Sequence, residues 1–127
     1  MVEVIWEGEG AIRLFSGDVT AADLDLSAKL IQDDSRFPAL KYVIHDFKRC
    51  HSIDVDSSTR DKIVARAAVA TMSMKRFASA FVGTLPELQE LVRYFKVVQV
   101  YDGEFDLFAS VPEARAFIAR VNGAANH

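Results

Sequence analysis

The sequence predicts a single α/β domain with the element order ββαβαβαβα and a mixed sheet of about five strands with helices packed on it. Three observations carry that prediction. Short β-branched and aromatic runs alternate with segments whose apolar residues recur at helical spacing. One run, Tyr42-Val-Ile-His-Asp-Phe47, is nearly continuously apolar, as a strand covered on both faces should be. Two segments, Thr84-Leu-Pro-Glu87 and Ser110-Val-Pro-Glu113, repeat one helix-start pattern. A chain of 127 residues has room for one core. The domain is expected to span residues 1–122, with 123–127 as a frayed tail.

Each element has a local cause. Val2 to Trp6 has high β propensity, Glu7-Gly-Glu-Gly10 is a turn, and Ala11 to Ser16 alternates as a second strand. Together they form an opening hairpin, and Gly17-Asp18-Val19 leads out of it. Thr20 is the N-cap of the first helix, with Asp23 completing a partial capping box. Leu24, Ala28 and Ile31 share one face, and the helix ends near Asp33, before Phe37-Pro38. The third strand is Leu40 to Phe47. A polar loop follows from Lys48, and the second helix starts at about Ser57. Its apolar set is Ile63, Val64, Ala67, Ala68, Thr71 and Met74, with alanines that permit close packing on the sheet. Arg76 to Gly83 is the fourth strand.

The third and fourth helices open on a hydroxyl N-cap, an apolar residue, a proline and a glutamate. The glutamate can reach back to the cap, and proline loses no intrahelical bond in the first turn. Leu88, Leu91, Val92 and Phe95 form one stripe; Ala114, Phe117, Ile118 and Val121 form the other. Lys96 to Tyr101 fits either a strand or a continuation of the third helix, and the stripe favours the helix. Glu104 to Phe108 is then the fifth strand. The order makes the sheet largely parallel after the first hairpin.

Composition excludes several function classes. The net charge of −3, from 18 acids and 15 bases, comes with no basic stripe for nucleic acid. Three histidines and one cysteine give no metal-ligand spacing, so neither metal nor cofactor is expected. The lone cysteine fits a reducing, cytoplasmic setting. No apolar run reaches the ~20 residues of a membrane span.

Three segments carry a family resemblance. Tyr42-Val-Ile-His-Asp-Phe47 is similar to a central strand ending in an acidic residue. Ile53-Asp-Val-Asp-Ser-Ser58 resembles an apolar-x-x-Asp-Ser-Ser-Gly segment that opens a helix. Phe105-Asp-Leu-Phe-Ala-Ser-Val-Pro-Glu-Ala114 is similar to a closing strand and the start of a last helix. Together, over about Val4 to Ile118, they resemble the STAS domain of bacterial anti-sigma factor antagonists and sulfate-transporter tails. The resemblance implies a non-enzymatic regulatory or protein-binding module, an antagonist-type switch with a kinase or regulator as partner. The second serine of the motif, phosphorylated in regulatory members, matches Ser58. Thr59 stands where the motif has glycine, and the loop from Asp46 to Asp56 is about two residues longer than the motif expects.

The candidate regulatory surface is therefore a rim formed by Asp46, Asp56, Ser57, Ser58 and Thr84, at the carboxyl ends of the strands. Each residue also has a structural role open to it. Asp46 can accept loop N–H groups, and Asp56, Ser57 or Ser58 can cap the second helix. Cys50-His51 is a weak nucleophile–base candidate, because neighbours on extended backbone point to opposite sides. His45 is read as a core histidine with a hydrogen-bond partner. A second function is a small-molecule binder, holding a lipid-like or anionic ligand at the rim or beneath the second helix. A distant kinship between STAS and CRAL-TRIO lipid-binding domains supports it. A chain this short is nevertheless expected to fill its core with its aromatics and not to enclose a cavity. A small enzyme is the third reading. Self-association through an edge strand or a helix face stays open.

Overall fold

A computed structural model describes residues 1–72, 77–99 and 103–124. Its strands are β1 (Val2–Glu7), β2 (Gly10–Thr20), β3 (Tyr42–Asp54), β4 (Ala78–Val82) and β5 (Glu104–Phe108). Its helices are α1 (Ala21–Gln32), α2 (Ser57–Thr71), α3 (Pro86–Val98) and α4 (Val111–Ala124), with a short 3-10 turn at Phe37–Ala39. The strands form one sheet in the order β1-β2-β3-β4-β5. β1 pairs antiparallel with β2 across the tight turn at Gly8, whose φ is +47°; the other pairs are parallel.

This topology decides where the helices go. The parallel strands are laid down in one direction, so right-handed crossovers carry α1, α2 and α3 onto one face. The other face is left to α4, where Ala114, Phe117 and Ile118 pack on Ile44, Ala78, Ala80 and Val82. On the crossover face, α1 lies on β1 and β2 and α3 on β3 and β5. Leu88, Leu91, Val92 and Phe95 of α3 are buried there with Phe15, Phe47 and Phe81. α4 is tied back to the hairpin by Arg115, which donates to Glu7; Tyr42 donates to the same carboxylate at 2.9 Å.

Several expected boundaries move. The segment expected as a polar loop, residues 48–54, is strand. β2 also runs on past Ser16 to Thr20, so Ser16 pairs with Arg49, Gly17 with Cys50 and Thr20 with Asp54. Register shifts at Leu14/Ser16 and Gly17/Asp18 absorb the irregular sequence, and the available partner outweighs the polar composition. β4 is shorter than expected: it ends at Val82, where Gly83 takes a φ of +153° and a side chain would meet Leu88. Arg76 lies outside the described residues.

Helix starts divide the two look-alike segments. Ser110 Oγ accepts the Glu113 N–H at 3.4 Å and Glu113 reaches back to the Ala109 N–H, close to the expected cap. Thr84 does not cap α3. Pro86 holds Leu85 extended, Leu85 becomes the N-cap without a side-chain bond, and Thr84 is left outside. Thr20 and Asp23 do form a reciprocal capping box on α1. The expected extension of α3 holds through Val98; Gln99 closes it in the left-handed region, and Tyr101 lies outside the described residues. α4 continues through Gly123 and Ala124; the rest of the expected tail lies outside the description.

α2 departs most from expectation. Among its described side chains none is fully buried, whereas α1 buries Leu24, Ser27 and Ile31. Ile63, Val64 and Ala67 rest on the core half-buried, Ala68 is exposed, and Met74 and the Thr71 side chain lie outside the description. The close packing of α2 on the sheet is not formed. α1 and α3 already occupy the sheet on either side, and α2 bridges above them.

Candidate ligand cavity

The raised α2 leaves a cavity of about 570 Å³ between α1, α2, α3 and the sheet. Its floor is Arg13 of β2, Val43, His45 and Phe47 of β3, and Phe77 and Phe81. Leu24, Ala28 and Ile31 of α1 wall one side, Leu91 and Phe95 of α3 the other, and Ile63, Ala67 and Ala70 of α2 form the roof. The space has a cause in sequence. Small residues face it from two helices, Ala21, Ala22 and Ala28 on α1 and Ala67 and Ala70 on α2. Larger residues there would close it. The volume falls within the range of about 300–1,000 Å³ common to small-molecule sites. The aromatics Phe15, Phe47, Phe77, Phe81 and Phe95 are buried in the core as expected, but the expectation that no cavity would be left is corrected.

A polar cluster projects into this apolar setting. Arg13 lies on the inward face of β2, between buried Ala11 and Phe15. Its Nε donates to Ser27 Oγ at 2.9 Å, and its Nη2 donates to Ser27 Oγ at 2.5 Å and to the Leu24 carbonyl at 3.1 Å. Nη1 donates to His45 Nδ1 at 3.0 Å. A guanidinium can only donate, so Nδ1 must be unprotonated and the ring proton sits on Nε2. Nε2 then donates to Ser79 Oγ at 2.6 Å. Burial, reinforced by the charge of Arg13, pushes the His45 pKa well below its ordinary value, so the ring stays neutral. It also stacks on Phe81 at 4.3 Å between centroids. His45 is thus the hydrogen-bonded core histidine that the sequence suggested, and it also lines the cavity.

The roof is fastened at its edges. Arg66 of α2 pairs with Asp25 of α1. On the opposite side Tyr94 of α3 donates to Asp61 at 2.8 Å, and the Arg60 guanidinium lies 3.8 Å from the centre of the Tyr94 ring. These contacts hold α2 by side chains at partly exposed positions and not by a buried apolar stripe.

The rim residues fall into two groups. Asp46 pairs across the sheet with Val82, two residues before Thr84, so Asp46 and Thr84 flank one corner of the β3–β4 junction. Asp46 Oδ1 accepts the Lys48 N–H at 2.9 Å, the structural role open to it. Thr84 is exposed, and its carbonyl accepts from Gln89. Asp56, Ser57 and Ser58 lie beyond the far end of β3. Asp54 is eight residues on from Asp46, a contour of about 26 Å at ~3.3 Å per residue. Asp56 is the N-cap of α2: its Oδ1 accepts the Thr59 N–H at 2.7 Å, and this bond lowers its pKa. Ser57 and Ser58 are exposed in the first turn. Cys50 and His51 point to opposite sides, Cys50 into the core and His51 to solvent. Burial pushes the Cys50 thiol up to about 11.

The sequence reading missed Arg13, Ser27, Lys62 and Arg66. A signal for Arg13 was present: in an alternating strand it shares a face with Ala11 and Phe15, which places a charge inward.

No family model and no curated protein matches the sequence. Solved structures do match. The anti-sigma factor antagonist SpoIIAA in its unphosphorylated form superposes with a TM-score of 0.65 at 14% identity, over 97% of this chain and 99% of the other. This is the STAS-like fold. An uncharacterised DUF3478-family protein from Shewanella loihica PV-4, described as having a SpoIIAA-like fold, gives a TM-score of 0.54 at 13% identity, over 93% and 92% of the two chains. The STAS-like architecture therefore covers nearly the whole chain, as its three motif segments implied. Among the described residues no helix is long and apolar enough to cross a membrane.

Proposed function

We propose that this chain is a non-enzymatic STAS-like binding module that holds a small, largely apolar ligand in the cavity beneath α2. The single observation that carries this reading is the cavity: about 570 Å³, framed by alanines on two helices and floored by Val43, Phe47, Phe77 and Phe81. The apolar part of the lining favours burial of an apolar body. α2 is the natural door, since it has no fully buried described side chain and is fastened mainly by exposed contacts. The catalytic reading loses support because Cys50 is buried, protonated and turned away from His51.

A second reading, the partner-binding switch, keeps one specific observation in its favour. Asp56 caps α2, which leaves the hydroxyls of Ser57 and Ser58 exposed. A kinase could reach Ser58, and a phosphate there would meet a helix N-terminus. SpoIIAA, an anti-sigma factor antagonist, shares the fold. On this reading the partner is a protein regulator, and Asp46 and Thr84 extend the docking surface. An amide NMR titration with dodecanol separates the two. Shifts centred on Ala28, Ile63, Ala67 and Phe95 support the cavity. Absence of saturable shifts there, together with phosphate on Ser58 in protein from the native host, favours the switch.

A further inference from the structure

The described charged side chains that line the cavity are mostly cations, and this assigns a ligand class; it deepens the reading above and rests on it. Ile31, Phe37, Val43, Ala70 and Phe77 make part of the described lining apolar. Lys62 and Arg66 of the roof line the same cavity as Arg13, whose guanidinium is oriented by Ser27, the Leu24 carbonyl and His45. Among the described residues the wall carries three cations, Arg13, Lys62 and Arg66, against one acid, Asp25, in a chain whose net charge is −3. Asp25 itself is engaged by Arg66 and lies within 3.9 Å of Lys29.

We infer that the ligand is an amphipathic anion, its acidic head held by Arg13, Lys62 and Arg66 and its aliphatic tail against the apolar side chains of the cavity. A neutral apolar molecule would fill the same volume without using the cations. An amphipathic cation would be repelled by them. At the half-buried Arg13 a charge-assisted hydrogen bond to the head outweighs its counterpart at an open surface. His45, kept neutral, contributes orientation of Arg13 and no charge of its own.

The test is a calorimetric titration of the full chain with three probes of one tail length: dodecanoate, dodecanol and dodecylammonium, each below its micellar concentration. The expected order of affinity is dodecanoate, then dodecanol, then dodecylammonium, with about tenfold between the first two, the effect of one charge-assisted bond. Lys62→Ala should reduce dodecanoate affinity about fivefold to tenfold and leave dodecanol unchanged. Arg13→Gln should do the same more strongly. Should Arg13→Gln fail to fold, Lys62→Ala and Arg66→Ala at partly or fully exposed positions still decide. Equal affinity for dodecanoate and dodecanol, or tighter binding of dodecylammonium, overturns the anion while leaving the cavity reading in place. Binding of none of the three overturns both.

Discussion

Three residues state how local surroundings set chemistry. Cys50 is 7% exposed, and its thiol is pushed up to about 11 mainly by burial. At neutral pH it is a thiol, so iodoacetamide should label it slowly in the native protein and rapidly in guanidinium, a contrast of well over tenfold. His45 makes the opposite kind of statement. Its pKa is depressed in the fold while the unfolded chain titrates near 6.5. Below that pH the unfolded state takes up a proton that the native state refuses, so stability is full above about 6.5 and falls as pH drops through it. The slope from this one group approaches about 1.4 kcal/mol per pH unit. Chemical denaturation at pH 7.5 and 5.5 should show the loss, and His45→Gln should flatten it. Asp56 is the third. As the cap of α2, Asp56→Ala should cost about 1 kcal/mol, whereas Ser57→Ala and Ser58→Ala should each cost under about 0.5 kcal/mol, measured by urea melts.

α3 and α2 divide the work between anchoring and access. α3 buries Leu88 completely, beneath Gly83 and against the sheet core. Leu88→Ala should destabilise by about 3 kcal/mol. α2 has no comparable anchor among its described residues, so its amides should exchange with solvent faster than those of α1 and α3, and bound dodecanol should slow them. α2 also shows where sequence stopped informing. Its helical period and its start near Ser57 were legible, because capping and spacing are local. That its alanines would face a space and not a sheet was not legible, because this depends on where α1 and α3 sit. Residues 48–54 failed for a related reason: their polarity reads as loop, and only the overrun of β2 supplies the partner that makes them strand.

For the molecule as a whole, the alternation of strands and helices was enough to reach the STAS-like order, since right-handed crossovers leave few alternatives. The rim was partly legible. Asp56, Ser57 and Ser58 were correctly placed at the helix start, but the long overhang of β3 separates them along the chain from Asp46 and Thr84. The cavity was named only as one alternative, beneath the second helix, and its charged wall not at all. Side chains from β2, α1 and α2 meet there, and nothing in their sequence spacing joins them.

The cavity beneath α2 is tested most directly by filling it. Ala67 lies on the roof facing the space, and Ala67→Phe places a ring inside without touching Ser57, Ser58 or the α2 cap. Fluorescence titration with phenylnaphthylamine, a neutral apolar probe, should give saturable 1:1 binding to the wild type. For Ala67→Phe it should show at least about tenfold weaker binding, with a melting temperature equal to or above that of the wild type. Undiminished probe binding in a folded Ala67→Phe variant, or no saturable binding to the wild type, would contradict the account.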